Sequence, residues 1–342
     1  MIEGTTNPSA LAVAHANFAL IKYWGKRDVA LNLPDVGSIS ITLEALWTKT
    51  RVTLDTTLAD DAFELDGRSD ADAARRVSGT LAQMRKMAGV ETRARIVSCN
   101  NFPTGAGLAS SASGFAALVT ALDCALSLGL SPARLSELAR MGSGSAARSI
   151  YGGFAEMQRG GRVDGSDSVA HALHERDFWA LEVVIAVSDR RRKAVGSTEG
   201  MLRTARTSPF YSAWVENQAL DLALARRAIA QRDFEALADV SEASALAMHG
   251  LAMSARPGLL YFNATTMECL HRVRALRARG IAVFFTVDAG PQVKAVCLPA
   301  HADEVADALA DVAGVGEVLR SGLGPGAHCL RSCPELDSEP IA

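Results

Sequence analysis

Residues 101–114 are small and polar in a pattern suited to binding phosphate. The segment reads Asn-Phe-Pro-Thr-Gly-Ala-Gly-Leu-Ala-Ser-Ser-Ala-Ser-Gly and lies between two apolar runs. Such residues let backbone N–H groups approach an anion, and the N-terminus of a following helix adds partial positive charge. The segment therefore predicts a loop that binds nucleotide phosphate. A turn before a helix packed through small residues is the alternative.

The better-known phosphate loops do not fit this segment. A Walker A loop ends in Gly-Lys-Ser or Gly-Lys-Thr, and residues 101–114 contain no lysine. The dinucleotide fingerprint nearly fits from Gly105 to Ser110, but it also needs an acidic residue at the end of the next strand. Asp123 stands at roughly that distance but falls inside a predicted helix, so it cannot reach a ribose in that way.

A cluster of cations and aromatic residues follows the first apolar run of the chain. Lys22, Lys26 and Arg27 stand there, with Tyr23 and Trp24 among them. Three cations and two aromatics at the exit of a strand could bind a diphosphate. The alternative is a solvated turn anchored by the aromatic rings.

A second segment rich in small residues carries a single cation. Residues 142–149 read Gly-Ser-Gly-Ser-Ala-Ala-Arg-Ser, with Arg148 on a weakly polar background. An arginine in such a setting either pairs with a buried carboxylate or binds the anion of a ligand. The basic run 190–193 has two interpretations, a solvated loop or a segment that binds phosphate. His249 is expected to be a packing residue.

The elements that must position these residues follow from the apolar pattern. Residues 92–98 alternate like a half-buried strand, and residues 115–126 are good helix formers with almost no charge. Ser131 is expected to cap a helix whose first residue is Pro132. Residues 33–43 are expected to form a turn that leads into an alternating strand, with 51–55 as its neighbour. Further strands are expected at 10–21, 181–187, 281–287 and 294–298. Further helices are expected at 70–87, in two pieces over 208–249 broken near 232, at 265–279 and at 302–312.

Composition narrows the class of protein. The 342 residues suffice for one or two lobes with ample core. A net charge of −3, with 21% charged residues, argues against general nucleic-acid binding, which needs a basic surface. No run has the apolar length of a membrane span, and the N-terminus lacks signal-peptide features. The six scattered cysteines show no metal-ligand spacing, so we expect reduced thiols in a cytoplasmic protein.

Three motifs in order resemble one protein family. They are Asn-Phe-Ala-Leu-Ile-Lys-Tyr-Trp-Gly-Lys at 17–26, the glycine-rich loop at 103–114 and the segment 142–149. Together they resemble the diphosphomevalonate decarboxylase family of the GHMP kinase superfamily. Residues 188–201 are similar to that family's diphosphate-facing segment, and Phe-Thr-Val-Asp-Ala-Gly-Pro at 285–291 is similar to its catalytic-aspartate loop. The resemblance covers nearly the whole chain.

The resemblance implies an α+β fold of the GHMP kinase type. Residues 1–185 would form the ATP-binding lobe, which is similar to ribosomal S5 domain 2, and residues 186–342 the C-terminal lobe. Antiparallel and mixed sheets with packed helices are expected, with the active site in the cleft between the lobes. A homodimer is the habit of the family.

The resemblance also implies a reaction: ATP-dependent decarboxylation of (R)-5-diphosphomevalonate to isopentenyl diphosphate. ADP, phosphate and carbon dioxide would be released, and Mg²⁺ would bridge the nucleotide. Phosphorylation of the tertiary 3-hydroxyl makes its departure possible, because hydroxide is a poor leaving group. A positioned carboxylate can orient or deprotonate that hydroxyl and stabilise the carbocation character that develops later.

The family's functional residues carry over onto matching positions of this sequence. The catalytic set is Asp288 as the carboxylate, Lys22 for the transferred phosphate, Arg148 for the substrate carboxylate, and Asn17 and Ser145 nearby. The substrate-binding set is Tyr23, Trp24, Lys26, Ser143, Gly144, Arg148, Ser197, Thr198 and Ala289. The nucleotide-binding set is Pro103, Gly105, Ala106, Gly107, Leu108, Ala109, Ser110 and Ser111. No protein residue is assigned as a metal ligand.

The sequence departs from the family pattern at three places. Leu-Pro-Asp-Val-Gly at 33–37 replaces a usual Leu-Pro-Leu-Asn near the nucleotide, which leaves the contacts to the base open. Gln292 stands where Asn is usual in the family, and it is expected to support the residues that touch the ligand rather than to touch it. Ala147 replaces a common cysteine whose thiol the proposed chemistry does not need.

Two other functions remain open from the sequence. One is a mevalonate 3-kinase or a 5-phosphomevalonate decarboxylase of the same branch. The other is a non-catalytic nucleotide-binding sensor on the same scaffold, which would be expected to have lost catalytic residues. Retention of the whole catalytic set argues for the full reaction.

Overall fold

The computed structural model describes residues 7–102, 110–191 and 193–332, and it leaves the side chains of residues 331 and 332 undescribed. These ranges contain thirteen strands and nine α-helices. The strands are β1 (Ser9–Ile21), β2 (Lys26–Asp28), β3 (Leu33–Pro34), β4 (Ser38–Asp55), β5 (Ala62–Leu65), β6 (Arg93–Asn100), β7 (Phe154–Met157), β8 (Ala170–His174), β9 (Glu182–Val187), β10 (Val283–Val287), β11 (Val293–Cys297), β12 (Glu317–Ser321) and β13 (His328–Ser332). The helices are α1 (Ala71–Ala88), α2 (Ser110–Ala125), α3 (Pro132–Gly142), α4 (Ala146–Ser149), α5 (Ser197–Thr207), α6 (Tyr211–Gln231), α7 (Phe234–Ser254), α8 (Ala264–Ala278) and α9 (Ala302–Ala310).

A seven-stranded sheet is built around β1 and β4. The order is β13-β1-β4-β6-β5, with β7 on β4 and β8 on β7; all pairs are antiparallel except β5 with β6. β1 is buried along almost its whole length. This burial explains its continuous apolar sequence, since a strand covered on both faces does not alternate. The alanine-rich α2 packs across β1 and β4.

Strand β4 corrects one prediction. A strand ending at residue 43 and a neighbouring strand at 51–55 were expected, but residues 38–43 and 51–55 lie at the two ends of the single 18-residue β4. β4 pairs with β1 across a shift in register between His15 and Asn17. Glu44 and Ala45 are exposed near this shift. They interrupt the apolar alternation at this shift, although residues 38–55 form one strand, so the pattern resembles two strands.

A second, four-stranded antiparallel sheet has the order β10-β11-β9-β12. Side chains alternate along β9, as successive residues of a strand must. Val184 and Ala186 pack with α8 and α9, whereas Val183 and Ile185 join an apolar cluster that includes side chains of β1 and β4. The two sheets therefore share a hydrophobic core, and the mixed and antiparallel sheets with packed helices confirm the predicted α+β class.

The helix boundaries follow the capping signals. Asp70 and Ser131 accept backbone N–H groups at the starts of α1 and α3, as predicted for Ser131. The break between α6 and α7 falls at Arg232, whose φ of 54° is left-handed. Helix α5 was not predicted. No helix in the described part of the chain is long and apolar enough to cross a membrane.

The division of the chain into lobes at residue 185 stays a prediction. That position falls inside β9, which pairs with β11 and β12. The chain also returns to the first sheet at its end, because β13 pairs with β1. The described cysteines, at 99, 124, 269, 297 and 329, form no disulfide bond with one another, and Cys333 lies outside the described residues.

Candidate active site

A cavity of about 1110 Å³ is lined by residues from distant parts of the chain. They include the turn after β1 (residues 22–26), the start of α2 (110–118), the segment from α3 to α4 (141–148), the start of α5 (193–201) and the turn after β10 (288–289), and residues of β5, α1 and β6 also line it. Only the fold brings these segments together, because they span most of the sequence.

Most of the predicted site residues line this cavity: Lys22, Tyr23, Trp24, Lys26, Ser110, Ser111, Ser143, Gly144, Ser145, Arg148, Ser197, Thr198, Asp288 and Ala289. Asn17 instead lies in the protein interior, 2% exposed, where it contacts Arg148. Six predicted nucleotide-binding residues lie outside the described residues: Pro103, Gly105, Ala106, Gly107, Leu108 and Ala109.

The carboxylate of Asp288 is held between two lysines. Lys22 Nζ donates to Asp288 Oδ1 at 2.7 Å, and Lys294 Nζ donates to Oδ2 at 3.2 Å. Lys22 Nζ also donates to the carbonyl of Ala19 at 2.9 Å. The two lysine side chains are 1% and 3% exposed, whereas that of Asp288 is 26% exposed. The carboxylate is therefore accessible while both of its partners are buried.

Helix α7 supports both members of the Lys22–Asp288 pair. Lys22 directly follows β1, and its backbone N–H donates to Ser244 Oγ at 3.0 Å. Asp288 directly follows β10, and the carbonyl of the preceding Val287 lies 3.3 Å from His249 Nε2. A pair held from the same helix keeps its separation, which a charged hydrogen bond requires.

Burial and charge set the protonation of this cluster. Burial lowers the pKa of Lys22 to about 8, against the opposing effect of Asp288. Burial alone would raise the pKa of Asp288, but Lys22 and Lys294 together hold it well below its usual range. Burial also lowers the pKa of Lys26 and Lys193 to about 8. Asp288 is thus ionised at neutral pH and a weak proton acceptor, which favours orientation over deprotonation of a hydroxyl.

Arg148 is buried without an ion pair among the described residues. Its Nε and Nη2 donate to Asn17 Oδ1 at 3.2 and 3.0 Å, and its Nη1 donates to Ser38 Oγ at 2.7 Å. Asn17 is held in turn by donating to Ser149 Oγ at 2.7 Å. Burial lowers the pKa of Arg148 to about 10, so it is charged at neutral pH. Its neutral partners leave two of five N–H donors and a full charge for an anionic ligand.

Two lysine side chains donate hydrogen bonds to the first residues of α5. Lys26 Nζ donates to Thr198 Oγ1 at 2.9 Å, and Lys193 Nζ donates to Ser197 Oγ at 2.7 Å. The residue before the helix is Gly196, which has no side chain to cap the first turn. Uncapped N–H groups at a helix N-terminus, with two ammonium groups beside them, form a site suited to phosphate.

Tyr23 borders the same part of the cavity. Its hydroxyl is buried and has no hydrogen-bond partner among the described residues. A Cβ at Gly144 would lie 2.4 Å from this hydroxyl oxygen, so the tyrosine can take this place only because residue 144 is glycine. The hydroxyl is therefore a further donor for an anion.

A row of serine hydroxyls continues from the start of α2. Ser111 Oγ lies 3.2 Å from Ser143 Oγ, which lies 3.5 Å from Ser145 Oγ. Ser110 is the first residue of α2. These hydroxyls join the two segments of small residues that the sequence analysis treated separately.

Some residues of the site were not found from the sequence. Lys294 lies on β11 opposite Thr286, and only this pairing shows that it reaches Asp288. The basic run 190–193 divides: Arg190 forms an exposed ion pair with Glu317, whereas Lys193 lines the cavity. Gln292 is fully buried and accepts from the backbone N–H of Ser188 at 2.8 Å, so it acts behind the site as expected.

Comparisons with known proteins agree with this geometry. The model of the diphosphomevalonate decarboxylase-like N-terminal domain matches residues 14–170, and that of the mevalonate 5-diphosphate decarboxylase C-terminal domain matches residues 183–321. The diphosphomevalonate decarboxylase of Candida albicans is 34% identical over 352 residues, which cover 93% of this chain and 97% of the relative.

Solved structures match over the same length. Mevalonate diphosphate decarboxylase from Staphylococcus aureus is 39% identical, with a TM-score of 0.89 over 95% of this chain and 98% of the other. The structure of MDDEF in complex with MVAPP, AMPPCP and magnesium is 38% identical, with a TM-score of 0.88 over 95% of this chain and 99% of the other. The chain therefore belongs to the diphosphomevalonate decarboxylase family of enzymes.

Proposed function

We propose that this enzyme converts (R)-5-diphosphomevalonate and ATP to isopentenyl diphosphate, ADP, phosphate and carbon dioxide. The observation that carries the proposal is the ionised carboxylate of Asp288, held by two buried lysines in a cavity that also contains Arg148. A fixed anion beside a fixed cation suits a substrate that develops positive charge next to its own carboxylate.

The cavity offers a partner for each group of this substrate. The 5-diphosphate would bind Lys26, Lys193, the Tyr23 hydroxyl and the start of α5. The substrate carboxylate would bind Arg148, whose planar guanidinium can hold it through two hydrogen bonds. The 3-hydroxyl would then face Asp288. This placement leaves Lys22 and Lys294, the two lysine partners of Asp288, without a substrate group.

The reaction follows from that placement. The bond between the γ-phosphorus and the bridging oxygen of ATP breaks, and its electron pair leaves with ADP. The γ-phosphoryl group bonds to the 3-hydroxyl oxygen, whose proton passes to an oxygen of the transferred group, while Lys22 stabilises the charge. The bond between C3 and oxygen then breaks, and its electron pair leaves with phosphate. The bond between C2 and the carboxyl carbon supplies the pair that forms the double bond, and carbon dioxide departs. Asp288 orients the hydroxyl first and stabilises the positive charge at C3 afterwards.

ATP would bind along the serine row at the start of α2, with its phosphates near Ser110, Ser111 and Ser143. No group of three or more His, Cys, Asp or Glu side chains suited to a metal lies within the described ranges. The cavity therefore suits a magnesium ion that is held mainly by phosphate oxygens and water, which are ligands that Mg²⁺ prefers. Magnesium would neutralise charge on the transferring phosphates.

We also propose a cytoplasmic homodimer, as expected from the resemblance; light scattering would measure its mass.

The test is steady-state release of ADP and of carbon dioxide with each candidate substrate at saturating Mg-ATP. We expect both products, in equal amounts, with 5-diphosphomevalonate. ADP without carbon dioxide would indicate a 3-kinase, and equal efficiency with 5-phosphomevalonate would indicate a monophosphate decarboxylase. Release of neither product would refute the proposal.

A further inference from the structure

Asp288 has two lysine partners that differ in their surroundings. Lys22 lines the cavity, and its ammonium group contacts Asp288 and the carbonyl of Ala19. Lys294 is 3% exposed, is not among the described residues that line the cavity, and contacts the other carboxylate oxygen at 3.2 Å. It lies within β11, where the strand pairing with β10 fixes its backbone. Lys22 can therefore meet the substrate, whereas Lys294 reaches the site through Asp288.

We propose that Lys294 is a positioning residue that holds Asp288 by its second oxygen and tunes the charge of Lys22. This role rests on the proposed function. With Oδ2 bound from β11, the carboxylate keeps one orientation when Lys22 turns toward the transferring phosphate. Without Lys294, Asp288 would be held by Lys22 alone, and any movement of Lys22 would release it.

The charged groups around Asp288 predict how Lys294 changes the pKa of its lysine neighbours. Asp288 is faced by Lys22 after β1, Lys193 before α5, Arg148 on α4 and Lys294 on β11. His249 on α7 also faces it but is neutral, because burial lowers its pKa to about 3. The positive charge of Lys294 opposes protonation of both Lys22 and Lys193. Removing that charge must therefore raise the pKa of these two lysines.

Kinetics of Lys294→Met test the positioning role. A positioned carboxylate contributes about 10²–10⁴-fold, and we expect loss of its second partner to remove part of this, roughly 10–100-fold in kcat. KM for both substrates should stay within about threefold, because their proposed ligands are unchanged. Lys294→Arg, which keeps the charge, should recover most of kcat. Lys294→Gln gives the same comparison if the Met variant does not fold.

Nuclear magnetic resonance tests the tuning directly. Only six of the 35 lysines and arginines are lysines, so ¹³C-labelled lysine side chains give a simple spectrum. Lys22 is identified by the signal that disappears in Lys22→Arg. We expect it to titrate near pH 8 in the parent protein and in Lys294→Arg, and at clearly higher pH in Lys294→Met or Lys294→Gln. This titration needs no substrate, so it tests Lys294 even if the parent enzyme releases no carbon dioxide.

Arg85→Met is the matched control. Arg85 forms a buried ion pair with Asp61 at 2.6 Å, and neither residue is among those that line the cavity. We expect its loss to lower stability while kcat and the titration of Lys22 stay unchanged. The proposal is wrong if Lys294→Met or Lys294→Gln keeps the parent kcat, or if Lys22 titrates as it does in the parent protein.

Discussion

Asp288→Asn is the most direct perturbation of the site, because it removes one charge and almost no volume. The amide has one oxygen that can accept and one NH₂ group that can only donate. In the structure both carboxylate oxygens accept, from Lys22 at 2.7 Å and from Lys294 at 3.2 Å. One lysine would keep a partner, and the other would face an N–H group while buried.

These contacts determine the expected loss of stability and of turnover in Asp288→Asn. Breaking a buried ion pair by removing one partner costs about 3–5 kcal/mol. We therefore expect a measurable fall in Tm. We expect kcat to fall by about 10²–10⁴-fold, the usual contribution of a positioned carboxylate. KM should change by only a few-fold, because Arg148 and the start of α5 would still bind the substrate.

The assay combines thermal unfolding with release of ADP and carbon dioxide. Asp61→Asn is the matched control, because Asp61 pairs with Arg85 through both of its oxygens at 2.6 and 2.8 Å and lies outside the cavity. It should lose comparable stability and keep its kcat at a temperature where it is folded. Near-normal turnover in Asp288→Asn would remove Asp288 from the mechanism.

Three further predictions follow from the cations. Arg148→Lys should slow turnover and weaken binding of 5-diphosphomevalonate with little change in ATP affinity; a loss of ATP affinity alone would move Arg148 to the nucleotide site. The enzyme should prefer the 5-diphosphate over the 5-monophosphate by roughly a hundredfold in kcat/KM, since each unpaired buried donor costs about 1–3 kcal/mol. Ser197→Ala or Lys26→Ala should narrow that gap, and an unchanged ratio would contradict the assignment. Because burial lowers the pKa of Lys22, Lys26 and Lys193 to about 8, they lose charge as pH rises through 8, so kcat/KM should fall above that pH; a flat profile to pH 9.5 would refute this.

Local signals in the sequence were sufficient for much of the fold. The apolar run of β1, the cap at Ser131 and the break at Arg232 depend on a few neighbouring residues. β4 was misread because its apolar alternation stops at Glu44, while its pairing depends on a distant strand.

The residues proposed to carry the chemistry could be predicted from the sequence, because each of the motifs around Lys22, Arg148 and Asp288 is a continuous segment of the chain. Their contacts with one another became visible only in the folded protein. It showed that Arg148 has neutral partners, that Lys193 separates from its basic neighbours, and that Lys294 reaches Asp288. The reason is physical: partners and pKa values depend on burial and on contacts between distant segments, which no local pattern encodes.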